Sequence, residues 1–496
     1  MAARRRSLVP WLVLAALAVG AGAWLLLPRE RARVRSPAPQ PVASPETAPD
    51  AGSDPAPAPP APRRAEAPPP VSAPPPPACP EDEPDPPGFV RPSVSELLRL
   101  RVDELRDRLP QLSRTASPAL REGLNGLGGA DPEAALRAIE SAPDRVQDGF
   151  DVAAAARLLV ATRALAAGDV RGAERHARAL ARAHASDPLA HALASLVADR
   201  NGDTAARRES MVAAHGLLPD EPALALAAAR ELALAARFDD AVRAVDDYLD
   251  AVPEDARARR WRERMAERAA LTRGHARRGT SGVEIAWPQR ELSREHVDEV
   301  LALLHRAMSD VARLTGGHRR PELAVVVYAR SEDMQRATCT PSWTGGVFDG
   351  VLHLHAPGLA GDGWERLVRH EATHAQLATI GGVIPHWLNE GLAQWMEGDP
   401  SPQAIAAWRR MARDRFFIPF PSLEGRLLDI DDARDAQLAY FQSLAMLLYL
   451  VERRGTRGIR EAIEQVEAGR HTDLLERLVP DASGETFLAF LARRSA

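Results

Sequence analysis

The sequence is poor in the residues that usually indicate a disulfide scaffold or a nucleic-acid-binding protein. Of its 496 residues only 2 are cysteine, Cys79 and Cys339, and lysine does not occur. The net charge is −5 at pH 7, so no excess of basic charge favours nucleic acid as a partner. The two cysteines lie far apart, one of them in a proline-rich tract, and therefore indicate no disulfide framework. We expect Cys339 to be an inert thiol, because no activating base is evident near it.

The N-terminal residues predict a membrane anchor. Three arginines at positions 4–6 precede an apolar run over residues 8–27, and about 20 such residues can cross a bilayer. A cleaved signal peptide is the alternative, since the sequence AGA at residues 21–23 fits a cleavage site of small residues. The apolar run continues beyond that site, which favours an uncleaved anchor. We assign residues 1–30 to a single-pass anchor that places the remainder outside the cytoplasm, or to a signal peptide of a secreted protein.

Residues 31–93 predict a disordered linker. More than half of the chain's 42 prolines fall within this stretch. Proline fixes φ and removes an amide donor, so the tract favours extended polyproline II-like chain over helices and sheets. The expected role is a spacer that holds the folded part away from the membrane.

Helix-forming residues with amphipathic spacing dominate residues 94–275, and a period of 34 residues recurs within them. Gly168, Gly202 and Ala236 are spaced by 34 residues, and so are Pro188 and Pro222. Paired helices with this period resemble degenerate tetratricopeptide repeats. The resemblance implies a short α-solenoid with a concave face. Such a face would bind a protein partner, although a rigid spacer or a cover for the rest of the chain is the alternative.

The C-terminal part has a mixed α+β pattern. Residues 283–287 and 322–329 predict strands, the second apolar enough to be central. A helix is predicted over residues 293–314, with Ser293 as its N-cap. Another strand-like segment, Val351–His355, precedes the region with the clearest chemical motif.

Two histidines and a glutamate in one predicted helix, residues 364–379, indicate a metal site. His370 and His374 stand at positions i and i+4 and therefore project from one helix face, one turn apart. Neutral imidazole is a favoured zinc ligand, and a catalytic zinc takes three protein ligands. Glu390, 16 residues after His374 in a second predicted helix, can fold back to supply the third. Glu371 lies beside the pair and can reach a metal-activated water without being a ligand.

The motif HEATH at residues 370–374, followed by PHWLNEGLA at residues 385–393, resembles the gluzincin clan of zinc metallopeptidases. The likeness is greatest to bacterial peptidase MA-like domains. A metzincin would carry its third histidine at position 380, which is isoleucine here. The resemblance implies a gluzincin-like peptidase domain of α+β fold over residues 280–496, with zinc as cofactor and a peptide or protein as substrate.

The resemblance also implies a role for each residue of the motif. His370, His374 and Glu390 would bind zinc, and Glu371 would be the catalytic base. Related domains carry a tyrosine in a helix downstream of the glutamate ligand, so Tyr440 becomes the candidate donor to the tetrahedral oxyanion, with a buried structural aromatic as the alternative.

Further residues are candidates for substrate binding. In gluzincins a strand before the zinc helix receives the peptide substrate, so Val351–His355 is expected to be an edge strand with Val351 and His353 near substrate. The simpler interpretation of His353 is a surface histidine. Asn389 would bind substrate, support a metal ligand, or simply begin a helix. His386 is a competing metal ligand that fits the family pattern less well than Glu390.

The sequence therefore predicts a multidomain protein: an anchor, a linker, a helical repeat region and a C-terminal zinc peptidase. Three other functions remain as alternatives. The chain could be a repeat-based binding protein with an inactive peptidase-like domain, a scaffold of the cell envelope, or a zinc hydrolase for a non-peptide substrate. The presence of Glu371 argues against an inactive site, because binding alone does not need that carboxylate.

Overall fold

The computed structural model describes residues 93–495 except residues 130, 148, 318–320, 341–343 and 425–432. The predicted anchor and all but the last residue of the predicted linker lie outside the described residues. Within the described part of the chain, no helix is both long and apolar enough to cross a membrane.

The first half of the described chain is a succession of helices with one small hairpin. Its elements are α1 (Val94–Thr115), α2 (Pro118–Gly126), α3 (Pro132–Ser141), β1 (Val146–Gln147), β2 (Phe150–Asp151), α4 (Val152–Ala166), α5 (Val170–Ala183), α6 (Pro188–Asn201), α7 (Thr204–Leu217), α8 (Pro222–Leu234), α9 (Phe238–Ala251) and α10 (Ala256–Thr272). We call residues 94–272 the helical region.

The turns within successive helix pairs recur at the period seen in the sequence. Gly168 and Gly202 have φ angles of 79° and 65°, and Ala236 has a φ of 51°. They lie between α4 and α5, α6 and α7, and α8 and α9. Glycine adopts left-handed backbone at no steric cost, which explains its place in two of these turns. The period thus coincides with helix pairs, while kinship with tetratricopeptide repeats stays a prediction.

The second half combines a sheet with further helices. Its elements are β3 (Ala276–Thr280), β4 (Val283–Trp287), α11 (Arg294–Thr315), β5 (Leu323–Tyr328), α12 (Ser331–Thr338), β6 (Gly346–Phe348), β7 (Leu352–His355), α13 (Ala356–Ala360), α14 (Trp364–Leu377), α15 (His386–Glu397), α16 (Pro402–Asp414), a 3₁₀ turn (Phe420–Leu423), α17 (Ala433–Arg454), α18 (Arg457–Glu467), α19 (Leu474–Leu478) and α20 (Gly484–Arg494).

Five strands form one mixed sheet in the order β3-β4-β5-β7-β6. The strands β4, β5 and β7 are parallel, and β3 and β6 pair antiparallel at the two edges. Strand β4 coincides with the predicted strand, and Ser293 caps α11 by accepting the amide of His296 at 3.2 Å, so both predictions are confirmed. The sequence did not predict β3, because Ala276–Thr280 (ARRGT) lacks apolar alternation.

The prediction that Val351–His355 forms an edge strand is wrong. Strand β7 pairs with β5 on one side and with β6 on the other, so it lies inside the sheet. The edge position belongs to β6, which is only three residues long. A strand that short has too few residues for an alternating pattern, which is why the sequence assigned the edge to its longer neighbour.

The sheet separates two hydrophobic cores, and the helical region covers one of its faces. On β5, Val325 packs in the core that includes α11 and α14. The next residue, Val326, points to the opposite face and packs in the core that includes α8, α9 and α10. The sheet is therefore buried on both sides, which explains the continuous apolar run of β5. The predicted boundary between residues 275 and 280 falls between two regions that share this second core.

Cys339 is disulfide-bonded, so the expectation of an inert thiol is wrong. It directly follows α12, where it adopts a left-handed φ of 57°. The sequence has one other cysteine, Cys79, which lies outside the described residues. Sequence spacing carried no signal for the disulfide at Cys339.

Candidate metal centre

The helix α14 presents its motif because its opposite face is buried. Val368, Ala372 and Ala375 are fully buried in the core beneath the sheet. His370 and His374, offset from these residues around the helix, are directed instead toward α15, which supplies Glu390. The predicted helix and the i, i+4 pairing of its histidines are confirmed.

Three potential ligand atoms converge at this point. The two Nε2 atoms of His370 and His374 are 3.0 Å apart. Oxygens of Glu390 lie 3.7 Å from Nε2 of His370 and 3.6 Å from Nε2 of His374. Tetrahedral zinc with bonds of about 2.0–2.1 Å separates its ligand atoms by about 3.4 Å. The three residues therefore have the spacing that a tetrahedral zinc site requires.

The hydrogen bonds of the two imidazoles favour a cation between them. Nδ1 of His370 lies 2.8 Å from Glu397 Oε1, and Nδ1 of His374 lies 3.1 Å from Asn389 Oδ1. Since both partners accept, each Nδ1 carries a proton, and in neutral rings both Nε2 atoms then present lone pairs. Two lone pairs facing each other at 3.0 Å repel unless a positive charge, which is either a proton shared by the rings or a metal ion, lies between them. The residues present therefore fit zinc.

Glu397 is the residue that the sequence analysis missed. Its Oε1 accepts from His370 and also from the hydroxyl of Tyr440 at 3.2 Å, and its Oε2 lies 3.3 Å from Arg366. It stands seven residues after Glu390 on α15, two helical turns away on the same face. That spacing was available in the sequence and could have identified it as a partner of a metal ligand.

Glu371 is buried beside the cluster with one oxygen unpartnered. Its side chain is only 5% exposed, and among the described residues no donor reaches its Oε2. Burial raises the pKa of Glu371, although His370 and His374 oppose this increase. A carboxylate with a raised pKa and a free oxygen is suited to accept a proton from a nearby water.

The charges around His370 decide its ionisation. Burial acts to lower the pKa of His370, but the hydrogen bond to Glu397 and the carboxylates of Glu371 and Glu390 outweigh it and raise that pKa to about 9. Burial likewise acts to raise the pKa of Glu397, whereas its hydrogen bond to His370 lowers it overall. The cluster thus strongly favours positive charge at its centre.

A close approach of two helices brings Tyr440 to the site. A Cβ on Gly391 of α15 would lie 2.5 Å from the carbonyl oxygen of Ser443 on α17, so only glycine allows this packing. The side-chain amide of Gln394 donates to the carbonyl of Tyr440 at 2.6 Å. As a result the ring of Tyr440 lies 6.1 Å from that of His370.

The remaining predicted site residues separate into two groups. Asn389 does contact the cluster, through His374. Val351 and His353 are 2% and 0% exposed, so the expectation that they contact substrate does not fit their burial. His386 is also buried, and it is not part of the group of three converging residues.

Comparison with known families agrees with this placement. Residues 304–476 match the Peptidase MA superfamily, and that span contains the three converging residues together with Glu371, Glu397 and Tyr440. A search of curated proteins finds no match to the chain. Residues 304–476 therefore constitute a peptidase MA-like domain, and the function they indicate is that of a peptidase.

Proposed function

We propose that this protein is a zinc-dependent, gluzincin-type peptidase that hydrolyses peptide bonds with Glu371 as general base. One observation carries the proposal. The Nδ1 atoms of His370 and His374 are both occupied, which leaves their Nε2 atoms converging with Glu390 in the spacing of a zinc site. The superfamily match supports the same class of enzyme.

The residues of the cluster divide the chemistry between them. His370, His374 and Glu390 would hold the zinc ion, which when bound supplies Lewis acidity to a water and to the scissile carbonyl. Glu371 takes the proton of the attacking water with its unpartnered Oε2 and passes it to the leaving amine. Burial makes this transfer easier, because the raised pKa of Glu371 increases its affinity for the proton.

Tyr440 is the proposed donor to the oxyanion that develops on the attacked carbonyl. Burial, together with the neighbouring Glu397, raises the pKa of Tyr440, so its hydroxyl stays protonated and able to donate. In the structure it donates to Glu397. We propose that it turns from this carboxylate to the oxyanion during the reaction, where a preorganised donor stabilises the developing charge.

The edge strand β6 is the proposed docking site for the substrate backbone. In the described part of the chain it pairs with β7 on one side only. Its first residue, Gly346, lies so close to Glu371 that a Cβ there would be 2.9 Å from the carboxyl group. An extended peptide added to this edge would therefore pass the general base, in the manner of strand addition.

We further propose that the peptidase is tethered outside the cytoplasm. The apolar run over residues 8–27 and the proline-rich tract behind it support an anchor and a spacer. The disulfide at Cys339 also supports an oxidising compartment, because disulfides rarely persist in the cytosol. Protease accessibility of the C-terminal part in intact spheroplasts tests this location, and full protection of that part would contradict it.

The function is tested by Glu371→Gln, with Glu365→Gln as matched control. Both substitutions lie on α14, but Glu365 is exposed in its first turn. Each variant is assayed for bound zinc and for hydrolysis of a mixture of quenched fluorescent peptides. We expect Glu371→Gln to lower hydrolysis at least about 100-fold while zinc stays bound, and Glu365→Gln to behave as the wild type.

Hydrolysis that survives Glu371→Gln would contradict the proposed mechanism. A wild type that binds zinc but cleaves no peptide would favour the binding or scaffold alternative, in which the helical region recruits a protein partner. Cleavage of ester or amide substrates outside the peptide class would instead indicate a different zinc hydrolase on the same ligands.

A further inference from the structure

The hairpin formed by β6 and β7 determines the space around Glu371. At its open end, a Cβ on Gly346 would lie 2.9 Å from three side-chain atoms of Glu371. A Cβ on Gly345 would lie 3.1 Å from Leu367, one turn earlier on α14. The hairpin backbone therefore rests directly on the helix that carries the base, and a shift of β6 would change the position or the solvation of that carboxylate.

The other end of the same hairpin is held by the helical region. Arg268, on α10, donates through Nη2 to Asp349 Oδ2 at 2.6 Å and through Nε to the carbonyl of Ala337 at 2.9 Å. The adjacent turn residue Gly350 has a φ of 102° and approaches Leu234 of α8 so closely that a Cβ would be 2.5 Å from it. Two helices of the helical region thus contact the hairpin turn.

The ion pair at this turn joins a buried arginine to a carboxylate whose side chain is 36% exposed. Arg268 is 6% exposed. Asp349 also contacts Nε2 of His353 at 3.1 Å, and Nδ1 of His353 lies 3.0 Å from the hydroxyl of Tyr328. Because the arginine is buried, loss of Asp349 would leave its charge without compensation, whereas loss of Arg268 would leave a carboxylate that is open to solvent and still contacts His353. This linkage is therefore a strong constraint on where the hairpin lies.

We propose that Arg268 is a positioning residue for the peptidase site. It fixes Asp349, Asp349 fixes the β6–β7 hairpin, and the hairpin holds Gly346 against Glu371. The inference rests on the proposed function of Glu371 as base. It assigns the helical region a part in catalysis, since the enzyme would need α10 docked in order to keep its general base in place.

The test uses the full chain with Arg268→Leu, Arg268→Lys and the control Arg336→Leu. Arg336 forms an exposed ion pair with Glu267, so it joins the same two helices, α10 and α12, without contacting the hairpin. Peptide hydrolysis, bound zinc and hydrogen exchange of the amides in residues 344–350 are measured on each protein. If Arg268→Leu does not fold, the same measurements are made on Asp349→Asn, which removes the charge of the other residue in the ion pair.

We expect Arg268→Leu to lower kcat/KM between about tenfold and 100-fold, the cost of misplacing a reacting group, with zinc still bound. Amide exchange should become faster in residues 344–350 while β4 and β5 stay protected. Arg268→Lys keeps the charge, so it should restore most of the hydrolysis and most of the amide protection. Arg336→Leu should change neither hydrolysis nor amide exchange.

Two results would overturn the inference. One is unchanged exchange in residues 344–350 and unchanged hydrolysis in Arg268→Leu. The other is faster exchange throughout the domain that Arg268→Lys does not reverse, which would make Arg268 a general stability residue. If the wild type hydrolyses no peptide, the proposed function fails, but the exchange measurement still decides whether Arg268 holds the hairpin.

Discussion

Two histidine clusters, one buried and one partly buried, lie on the same domain and differ in how their polar atoms are satisfied. In the first, His353 has a hydrogen-bonding partner at each ring nitrogen, Tyr328 at Nδ1 and Asp349 at Nε2. In the second, His370 and His374 have acceptors at Nδ1 but face each other at Nε2. The first cluster is complete with both rings neutral, whereas the second needs a proton or a metal ion between its two Nε2 atoms.

This difference separates a structural histidine from a ligand more reliably than burial does. His353 is the most buried of the three, and burial lowers its pKa, although Asp349 opposes this decrease. A neutral ring with both nitrogens bonded has no lone pair to offer a metal. The pair on α14, by contrast, keeps two Nε2 atoms and the carboxylate of Glu390 directed at one point.

The largest effect is expected from His374→Ala. Removal of one of three protein ligands should abolish stoichiometric zinc binding and with it peptide hydrolysis, because the two ligands that remain are too few for a catalytic zinc site. Zinc per chain, measured by atomic emission after dialysis, checks this. The control is His386→Gln, a buried histidine on α15 outside the converging group, which should keep its zinc. If zinc stays bound in His374→Ala but is lost in His386→Gln, then His386, and not His374, is the metal ligand.

A smaller effect is expected from Glu397→Gln. The amide oxygen still accepts from Nδ1 of His370, but the negative charge that supports this ligand is lost, and such partners typically contribute 10- to 100-fold to metal affinity (about 1–3 kcal/mol). Competition with a chelator measures the affinity, and the spectrum of the cobalt-substituted protein reports the ligand geometry.

The matched control for this variant is Arg366→Gln. Arg366 contacts the same carboxylate at its other oxygen, but its side chain is 45% exposed, so its loss should change zinc affinity less than about fivefold in either direction. The two substitutions change the net charge near the site in opposite directions, so equal losses could not come from charge and would contradict the role assigned to the contact between Glu397 and His370.

Local pattern was enough to predict the centre of the site. The i, i+4 histidines, the helix that carries them and the second helix with Glu390 all depend on residues near one another in sequence, and α14 and α15 are found where they were expected. Glu397 was also within reach, since it repeats the face of Glu390 two turns later on α15.

Long-range contacts explain what the sequence could not predict. Strand β7 pairs on both sides, which leaves β6 at the edge of the sheet. With three residues, β6 is too short to show an alternating pattern of apolar and polar residues. The disulfide at Cys339 and the contact between Arg268 and Asp349, which are 81 residues apart, depend on the packing of distant segments. Neither composition nor periodicity records such pairings.

The smallest effect on zinc binding is expected from His353→Phe. This variant is also the strictest test of the difference between the two histidine clusters. Phenylalanine fills the space of the imidazole but leaves the hydroxyl of Tyr328 without its partner and Asp349 with one contact fewer, so the free energy of unfolding should fall by about 1–3 kcal/mol. Urea unfolding measures this, with His305→Phe as control, because among the described residues His305 has a single hydrogen-bonding partner, the carbonyl of Thr280 at its Nε2. Zinc content should stay that of the wild type. Zinc lost with His353 while stability is kept would assign this histidine to the metal site, and the distinction between the two clusters would no longer hold.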